Sequence, residues 1–286
     1  MEKGITSFYG YVIPMEDRIK AIKKAGFDRV MCAADPKYEV HNGPLTEQIR
    51  LIKEYGLKLG SLHARYDESI AHLFWEEGEV GESVMQGFID DVLMCAKYSF
   101  TCLVMHIYGK PSPVGDLRFE KILKVAKENN VILAIENLID LTPFDYLLTK
   151  YTDENVKVCL DIGHINCFSR DNIVYNKYGH RIVTTHLHDN NGLNDLHTTT
   201  LLAKDPLVKF KYPDSKLYHN DIQFVDWEAF ADCVAKHNLD IALDYELNNN
   251  VLNCADIPQD IMLNQCMKEI LELEEKIANK KRQYNN

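Results

Sequence analysis

The sequence predicts an α/β fold, a single (β/α)8 TIM barrel with its active site at the C-terminal ends of the strands. Two observations carry that expectation. Apolar runs alternate with amphipathic stretches along all 286 residues, the pattern of a mainly parallel sheet with crossover helices. Six of those runs also end in a histidine, aspartate or glutamate. They are SLH at His63, VMH at His106, LAIE at Glu136, VCLD at Asp161 with His164 behind it, TTHLH at His186 and His188, and ALDYE at Asp244 and Glu246. A buried strand that presents a ligand-type residue at its C-terminal end is how a barrel active site is built. One such ending is noise, whereas six in order indicate a metalloenzyme.

Taken in order, the predicted strands cover residues 5–9, 29–33, 57–63, 101–107, 131–136, 156–161, 182–187 and 241–246. Helical periodicity fits between them at 15–25, 46–55, 82–97, 116–128, 144–151, 171–178, 227–237 and 258–278. Gly26 and Gly56 each follow a basic or polar last turn and mark helix stops. The regular spacing breaks once, in a long polar and mixed stretch over about 189–225. A loop of that length at the C-terminal face of a barrel is usually a lid or a binding loop. The charged tail EEKIANKKRQYNN is expected to fray. No further repeat or composition shift divides the chain, so residues 1–286 are expected to form a single domain.

The bulk composition sets limits on partners. At 46% hydrophobic and 26% charged residues, the chain is a folded globular protein with a sizeable core. Its net charge of −11, with no run of lysines or arginines, weighs against nucleic acid as a partner. The eight cysteines, Cys32, Cys95, Cys102, Cys159, Cys167, Cys233, Cys254 and Cys266, form no C-x-x-C pair. Scattered through apolar runs, they suit free, buried thiols in a reducing compartment. The N-terminus has no apolar leader region and no run approaches a membrane span, so the expectation is a cytoplasmic protein with no membrane partner.

Glu136 and Asp161 close β-rich runs, and His186 follows the β-branched run IVTT. Two carboxylates and an imidazole make a mixed oxygen and nitrogen site suited to Mn²⁺, Co²⁺, Mg²⁺ or Zn²⁺. Any one of these residues could instead cap the next helix or pair with a surface lysine. Together with an acid on the last strand, the ligand reading is the stronger. That strand offers Asp244 and Glu246, two apart and so on one face. Glu246 lies nearer the rim and is favoured as the ligand, with Asp244 a deeper inward carboxylate or a partner to a ligand. His63 and His106, one βα unit apart, are either neutral histidines that bond a substrate hydroxyl or a carboxylate, or ligands of a second metal. Asp161-Ile-Gly-His164 places two polar side chains across a tight turn, facing the same rim. His188 shares a face with His186 but lies nearer the loop, which favours substrate contact over ligation. Asp195-Leu-His197 is a D-x-H pair within the polar loop, a pattern that is commonly inert on a surface. His41, His72, His180, His219 and His237 receive no role.

This order of residues resembles the xylose isomerase-like TIM barrel superfamily, which includes sugar (phosphate) isomerases and epimerases and the endonuclease IV (AP endonuclease family 2) enzymes. The motifs that carry the resemblance are SLHARY, AIENL, CLDIGH, HLHDNNG followed by DLH, and VDWEAF. For the epimerase-like members, the resemblance implies one metal held by Glu136, Asp161, His186 and Glu246. Glu136 and Glu246 would shuttle a proton next to a carbonyl through a metal-stabilised enediolate, with His164 on a substrate oxygen. For the endonuclease IV-like members, it implies up to three Zn²⁺ held by His63, His106, Glu136, Asp161, His164, His186, Asp195, His197 and the last-strand acid. Two features depart from the pattern. The short glycine-containing turn that usually follows D-x-H is replaced by TTTLLAKDPLVKFKYPDSKLYHND. Gly192 stands where tagatose epimerase-like enzymes carry an arginine, six residues beyond the metal-binding histidine. No glycine-rich phosphate cradle follows the seventh strand.

The leading expectation is therefore a divalent-metal-dependent sugar or sugar phosphate isomerase or epimerase with a small sugar or hydroxy-carbonyl substrate. The alternatives are an endonuclease IV-like multi-zinc phosphodiesterase and a non-catalytic metal- or sugar-binding barrel. Barrels of this kind often pair, which makes a homo-oligomer a candidate assembly.

Overall fold

In the computed structural model, residues 1–169, 173–192, 194–204, 224–247 and 257–284 are described. Eight strands lie in one sheet: β1 Lys3–Thr6, β2 Arg29–Ala33, β3 Lys58–His63, β4 Leu103–Met105, β5 Leu133–Glu136, β6 Val156–Asp161, β7 Ile182–His186 and β8 Leu243–Tyr245. Their order is β7-β6-β5-β4-β3-β2-β1-β8 and each named pairing is parallel. Leu187, just past β7, bridges to Tyr245 through Leu187 N–Asp244 O at 2.8 Å and Glu246 N–Leu187 O at 2.9 Å. That bridge joins the two ends of the sheet into a nearly closed barrel.

Helices Met15–Ala25, Leu45–Glu54, Glu79–Tyr98, Pro113–Glu128, Thr142–Lys150, Trp227–Lys236 and Gln259–Tyr284 follow strands β1 to β5, β7 and β8. The Pro113 helix starts earlier than its apolar periodicity suggests. Ser112 caps it, accepting from Gly115 N at 3.4 Å, and proline fits the first position, where no amide is needed. After β6 the backbone turns helical at once, over Ile162–His164 and a π-helical turn at Ile165–Ser169. The helix expected over 171–178 is therefore corrected: a π-helical turn covers Val174–Tyr178, and residues 171–172 lie outside the described set. The tail does not fray where expected, because the last helix continues to Tyr284. There Tyr284 OH donates to Asp232 at 2.9 Å and Lys281 Nζ donates to Leu239 O at 2.7 Å.

One large apolar cluster includes Ile5, Val30, Leu133, Leu160, Phe119, Phe230 and Ile270, and a small separate one joins Cys102, Val104, Ala134 and Cys159. The strands are buried on both faces, which is why they read as apolar runs without alternation. Alternation is present all the same. Val104, Ala134, Cys159, Thr184 and Asp244 each stand two residues before a ligand-type side chain, on the same face of the strand. Cys167 is half-buried rather than buried, the other six described cysteines are buried and free, and Cys254 lies outside the described residues. Among the described residues no helix is long and apolar enough to cross a membrane.

A layer below the ligand-type residues, Arg29 Nε donates to Asp244 Oδ1 at 2.8 Å, and its Nη2 also reaches Asp244 Oδ2. Thr184 Oγ1 donates to Asp244 Oδ2 at 2.8 Å. Gly4 makes room for this pair, since a Cβ there would fall 1.9 Å from Asp244 Oδ1. Both charged side chains are buried, so removing one strands the other. We expect Arg29→Met to lower the unfolding free energy by about 3–5 kcal/mol in urea denaturation, with partial recovery when Asp244→Asn is added. An Arg29→Met variant as stable as the parent would show that the pair carries no such weight.

Candidate metal centre

Strand alternation aims the side chains, and strand ends set their depth. Glu136, Asp161 and His186 are the last residues of β5, β6 and β7, His63 is the last of β3, and His106 and Glu246 follow β4 and β8 directly. All therefore reach the C-terminal mouth of the barrel. Glu136 is 2% exposed, and its Oε2 lies 3.0 Å from His106 Nε2, 3.2 Å from His186 Nδ1 and 3.8 Å from His63 Nε2. His186 Nδ1 also lies 3.0 Å from Glu246 Oε2. Asp161, His186 and Glu246 form one group of converging donor atoms, and His63, His106 and Glu136 form another.

A third group joins His164, His188, Asp195 and His197. Asp195 Oδ2 lies 2.8 Å from His197 Nε2 and 3.2 Å from His164 Nε2. The D-x-H pair is thus folded into the site rather than left on the surface. Asp189 and Thr198 form an antiparallel bridge that closes the segment between them. The buried Asp189 carboxylate then accepts from Val225 N at 3.1 Å and Trp227 Nε1 at 3.3 Å. The expected long loop over 189–225 therefore holds ordered structure, including the short helix Thr200–Lys204, while residues 193 and 205–223 lie outside the described set. His197 takes a left-handed φ of +44°, a strained conformation for a non-glycine residue of the kind that collects at functional sites.

Three of the sequence candidates, Asp161, His188 and Asp244, stand behind the cavity wall rather than in it. Asp244 sits in its ion pair with Arg29, below the other carboxylates. His188 is fully buried, and its Nε2 lies 3.1 Å from Asp161 Oδ1 while its ring stacks on His197 at 4.1 Å. That position behind Asp161 does not fit the expected substrate contact. Gly163 permits it, because a Cβ there would meet the His188 ring at 1.9 Å. Asp161 itself combines two roles: it caps the turn after β6 by accepting from His164 N at 2.7 Å, and it faces the donor cluster.

The donor atoms fit a cation better than they fit each other. Glu136 Oε2, His186 Nδ1, Asp195 Oδ1 and His197 Nδ1 are buried and make no hydrogen bond of acceptable geometry, although they crowd together. Tetrahedral bonds of 2.0–2.2 Å place donor atoms about 3.4 Å apart, close to the 3.0 and 3.2 Å separations around His186 Nδ1. Burial, with His106 beside it, pulls the His63 imidazole down to about 4 and leaves it neutral. Burial also opposes charge on His164 and His197, but Asp161 and Asp195 lift His164 to about 10, and Asp195 and Glu246 lift His197 to about 9. Burial works against ionised Glu136 and Glu246, yet the adjacent histidines hold both carboxyls below the usual range. Burial pushes the Cys159 thiol well up, so beside His186 it is a protonated partner rather than a thiolate ligand.

Sequence reasoning missed several groups. Asn137 follows Glu136 and clamps β5 to β6, donating Nδ2 to Asp161 O at 2.7 Å and accepting from Asp161 N at 2.8 Å. The polar residue after LAIE was its one signal. The mouth is a cavity of about 430 Å³ whose wall includes Phe8, Tyr38, Tyr66, Tyr108 and Phe168. Tyr66 was visible only as the last residue of SLHARY, and the other four belonged to no motif.

The chain matches the family described as xylose isomerase-like TIM barrel over residues 19–262. An uncharacterised protein, y4fM, from Sinorhizobium fredii is 29% identical over 126 residues, which span 42% of this chain and about a third (34%) of that relative. Among solved structures, a D-tagatose 3-epimerase-like protein superposes with a TM-score of 0.70 at 16% identity, covering 98% of this chain and 99% of that one. The IOLI protein, solved with a bound zinc atom, superposes with a TM-score of 0.66 at 12% identity over 96% and 98% of the respective chains.

Histidines held protonated by neighbouring carboxylates must lose their protons to bind a metal. At pH 7, below the values of about 10 and 9 for His164 and His197, both carry that proton in the metal-free protein. Titration of the chelator-treated protein with Zn²⁺ in weak buffer is expected to release these two protons only beyond the first equivalent, when zinc reaches the donors around His164 and His197, read with an indicator dye. Metal uptake without proton release would show that these two histidines are not ligands.

Proposed function

Because the chain belongs to the xylose isomerase-like TIM barrel family, we propose that it is a divalent-metal-dependent isomerase or epimerase acting on a small sugar or related hydroxy-carbonyl compound. One observation carries the reading. Glu136 and Glu246 line the cavity and approach His186 Nδ1 at 3.2 and 3.0 Å, with Asp161 buried behind them in the same cluster. These are the ends of β5 to β8. Support for a sugar substrate and for a metal comes from the D-tagatose 3-epimerase-like and zinc-bound neighbours.

A bound divalent cation would polarise a substrate carbonyl and offset the negative charge that builds on its oxygen as a proton leaves the neighbouring carbon. The remaining work falls to the protein. Both glutamates are held ionised, so each is in the form that accepts a proton. In this reading, one takes the proton from the carbon next to the carbonyl, the other takes up a proton from solvent and delivers it back to that carbon, and the first then releases its own proton to solvent. Nearly full burial of Glu136 keeps bulk water from competing for it. His164, whose Nδ1 lies 2.8 Å from Asn137 O, is fixed in orientation and can bond a substrate oxygen.

We expect Glu136→Gln and Glu246→Gln each to reduce turnover by roughly 10²–10⁴-fold while the unfolding midpoint stays near the parent value. The readout is incorporation of solvent deuterium into ketose substrates. Full activity in either variant would remove that residue from the proton path.

A second reading is favoured by a separate observation, the two further donor groups around His63 and His106 and around Asp195 and His197. Filled together with the first, they would make a multi-zinc hydrolase of phosphodiesters. Elemental analysis of protein purified without chelators separates the readings. About one metal per chain supports the isomerase. Two or three zinc ions, with abasic-DNA cleavage and DNA binding that weakens steeply with salt, would support the hydrolase.

A further inference from the structure

The cavity has a wall built from the other side of the barrel. Ser7 and Phe8 come from the segment after β1, Tyr38 and Asn42 from that after β2, and Tyr66 from that after β3. None of these is among the converging metal-type donors. Asn42 differs from its neighbours on this wall. It is 6% exposed, it is one of the residues lining the cavity, and its Oδ1 has no hydrogen-bond partner. A buried amide oxygen left unpaired costs about 1–3 kcal/mol, unless something in the cavity donates to it.

The backbone that carries Asn42 is held firmly. Arg18, 1% exposed, donates Nη1 to His41 O at 2.8 Å and Nη2 to Asn42 O at 2.9 Å. Gln48, also 1% exposed, donates Nε2 to Gly43 O at 2.8 Å. Two buried polar side chains thus fix three consecutive carbonyls. The result is a backbone at Asn42 set in place before any ligand arrives, which lowers the cost of ordering this residue on binding.

The chemistry around it suits a neutral ligand. Tyr38 and Tyr66 pair their hydroxyls at 3.1 Å and present ring carbon to the cavity. Glu68 stands on the same wall, and among the described residues no lysine or arginine lines the cavity. Lys37 is close but committed elsewhere: its ammonium lies 4.1 Å over the Tyr66 ring, bonds Tyr66 O at 2.6 Å and pairs with Asp35 at 2.9 Å. A phosphate at this end would meet the Glu68 carboxylate, whereas a polyol would meet aromatic carbon and one amide acceptor.

We propose that Asn42 is the hydroxyl-recognising residue of this wall, so that the cavity selects a neutral, monosaccharide-sized polyol over its phosphate ester. The inference rests on the isomerase reading for the substrate's size alone. Its test uses ligands that cannot react. Calorimetry on the metal-loaded full chain would compare D-mannitol, D-mannitol 1-phosphate and the monodeoxy hexitols. D-Mannitol is expected to bind at least tenfold more tightly than its phosphate, and Asn42→Ala is expected to weaken it about tenfold. For one monodeoxy hexitol, parent and Asn42→Ala should bind alike, since the bonded hydroxyl is then missing from both. Asn42→Asp keeps an acceptor of the same shape, so it should retain D-mannitol and weaken the phosphate further. It also provides the comparison if the alanine variant folds poorly.

Equal loss for every hexitol, no loss in Asn42→Ala, tighter binding of the phosphate, or no binding of D-mannitol would each overturn the proposal. Deuterium wash-in on D-fructose reports the isomerase reading separately. Hexitol selectivity without wash-in would keep Asn42 and remove the isomerase, while wash-in with an unchanged KM in Asn42→Ala would do the reverse.

Discussion

The molecule is organised around one buried oxygen. Glu136 Oε2 has imidazole nitrogens of His106, His186 and His63 within 3.8 Å and makes no hydrogen bond of acceptable geometry. An isolated carboxylate in such a place would take up a proton rather than stay charged. It stays ionised because His106 and His186 stand beside it, and β4 and β7 bring both to β5 only because the sheet curls into a barrel. The closure through Leu187 and Tyr245 is therefore part of the site, since it sets Glu246 against His186.

Below this layer the barrel manages a second buried charge. Arg29 and Asp244 cross from β2 to β8 through the space left by Gly4, with Thr184 completing the bonds. Asp244 and Glu246 are thus two residues apart and unlike in environment. The lower one is neutralised by a permanent guanidinium, and the upper one faces histidines that a metal can displace from their protons. The same strand alternation that repeats along β5, β6 and β7 separates a structural floor from a reactive rim.

The cavity above the rim is divided by chemistry. Its β5–β8 side carries carboxylates and imidazoles, and its β1–β3 side carries aromatic rings, a serine and the amide of Asn42. Under the proposed function the first side would hold the cation and move the proton, and the second would meet the remainder of the ligand. The D-x-H segment belongs to the first side because Asp189, a buried aspartate with no donor role, gathers Val225, Trp227 and the Thr198 bridge around itself.

The sequence by itself determined the barrel and the ligand-type residues at its strand ends. Strands β2 and β6 and the first helix fall on the residues expected from their apolar patterns. Glu136, Asp161, His186 and Glu246 were legible because a residue at the end of a buried strand has nowhere to point but the mouth. Periodicity could not show contacts between segments distant in the chain. It gave Asp195 and His197 as a D-x-H pair without showing what folds it into the site, put His188 against substrate, let the charged tail fray, and gave no sign of Asn42. Each depends on a partner far along the chain: Val225 and Trp227, which bond Asp189, for the D-x-H segment, Asp161 for His188, Asp232 for Tyr284, and Arg18 for the turn that carries Asn42. Strand direction is a local property that alternation encodes, whereas these placements follow from packing and hydrogen bonds that exist only once the chain has closed, and so the tertiary structure alone decided them.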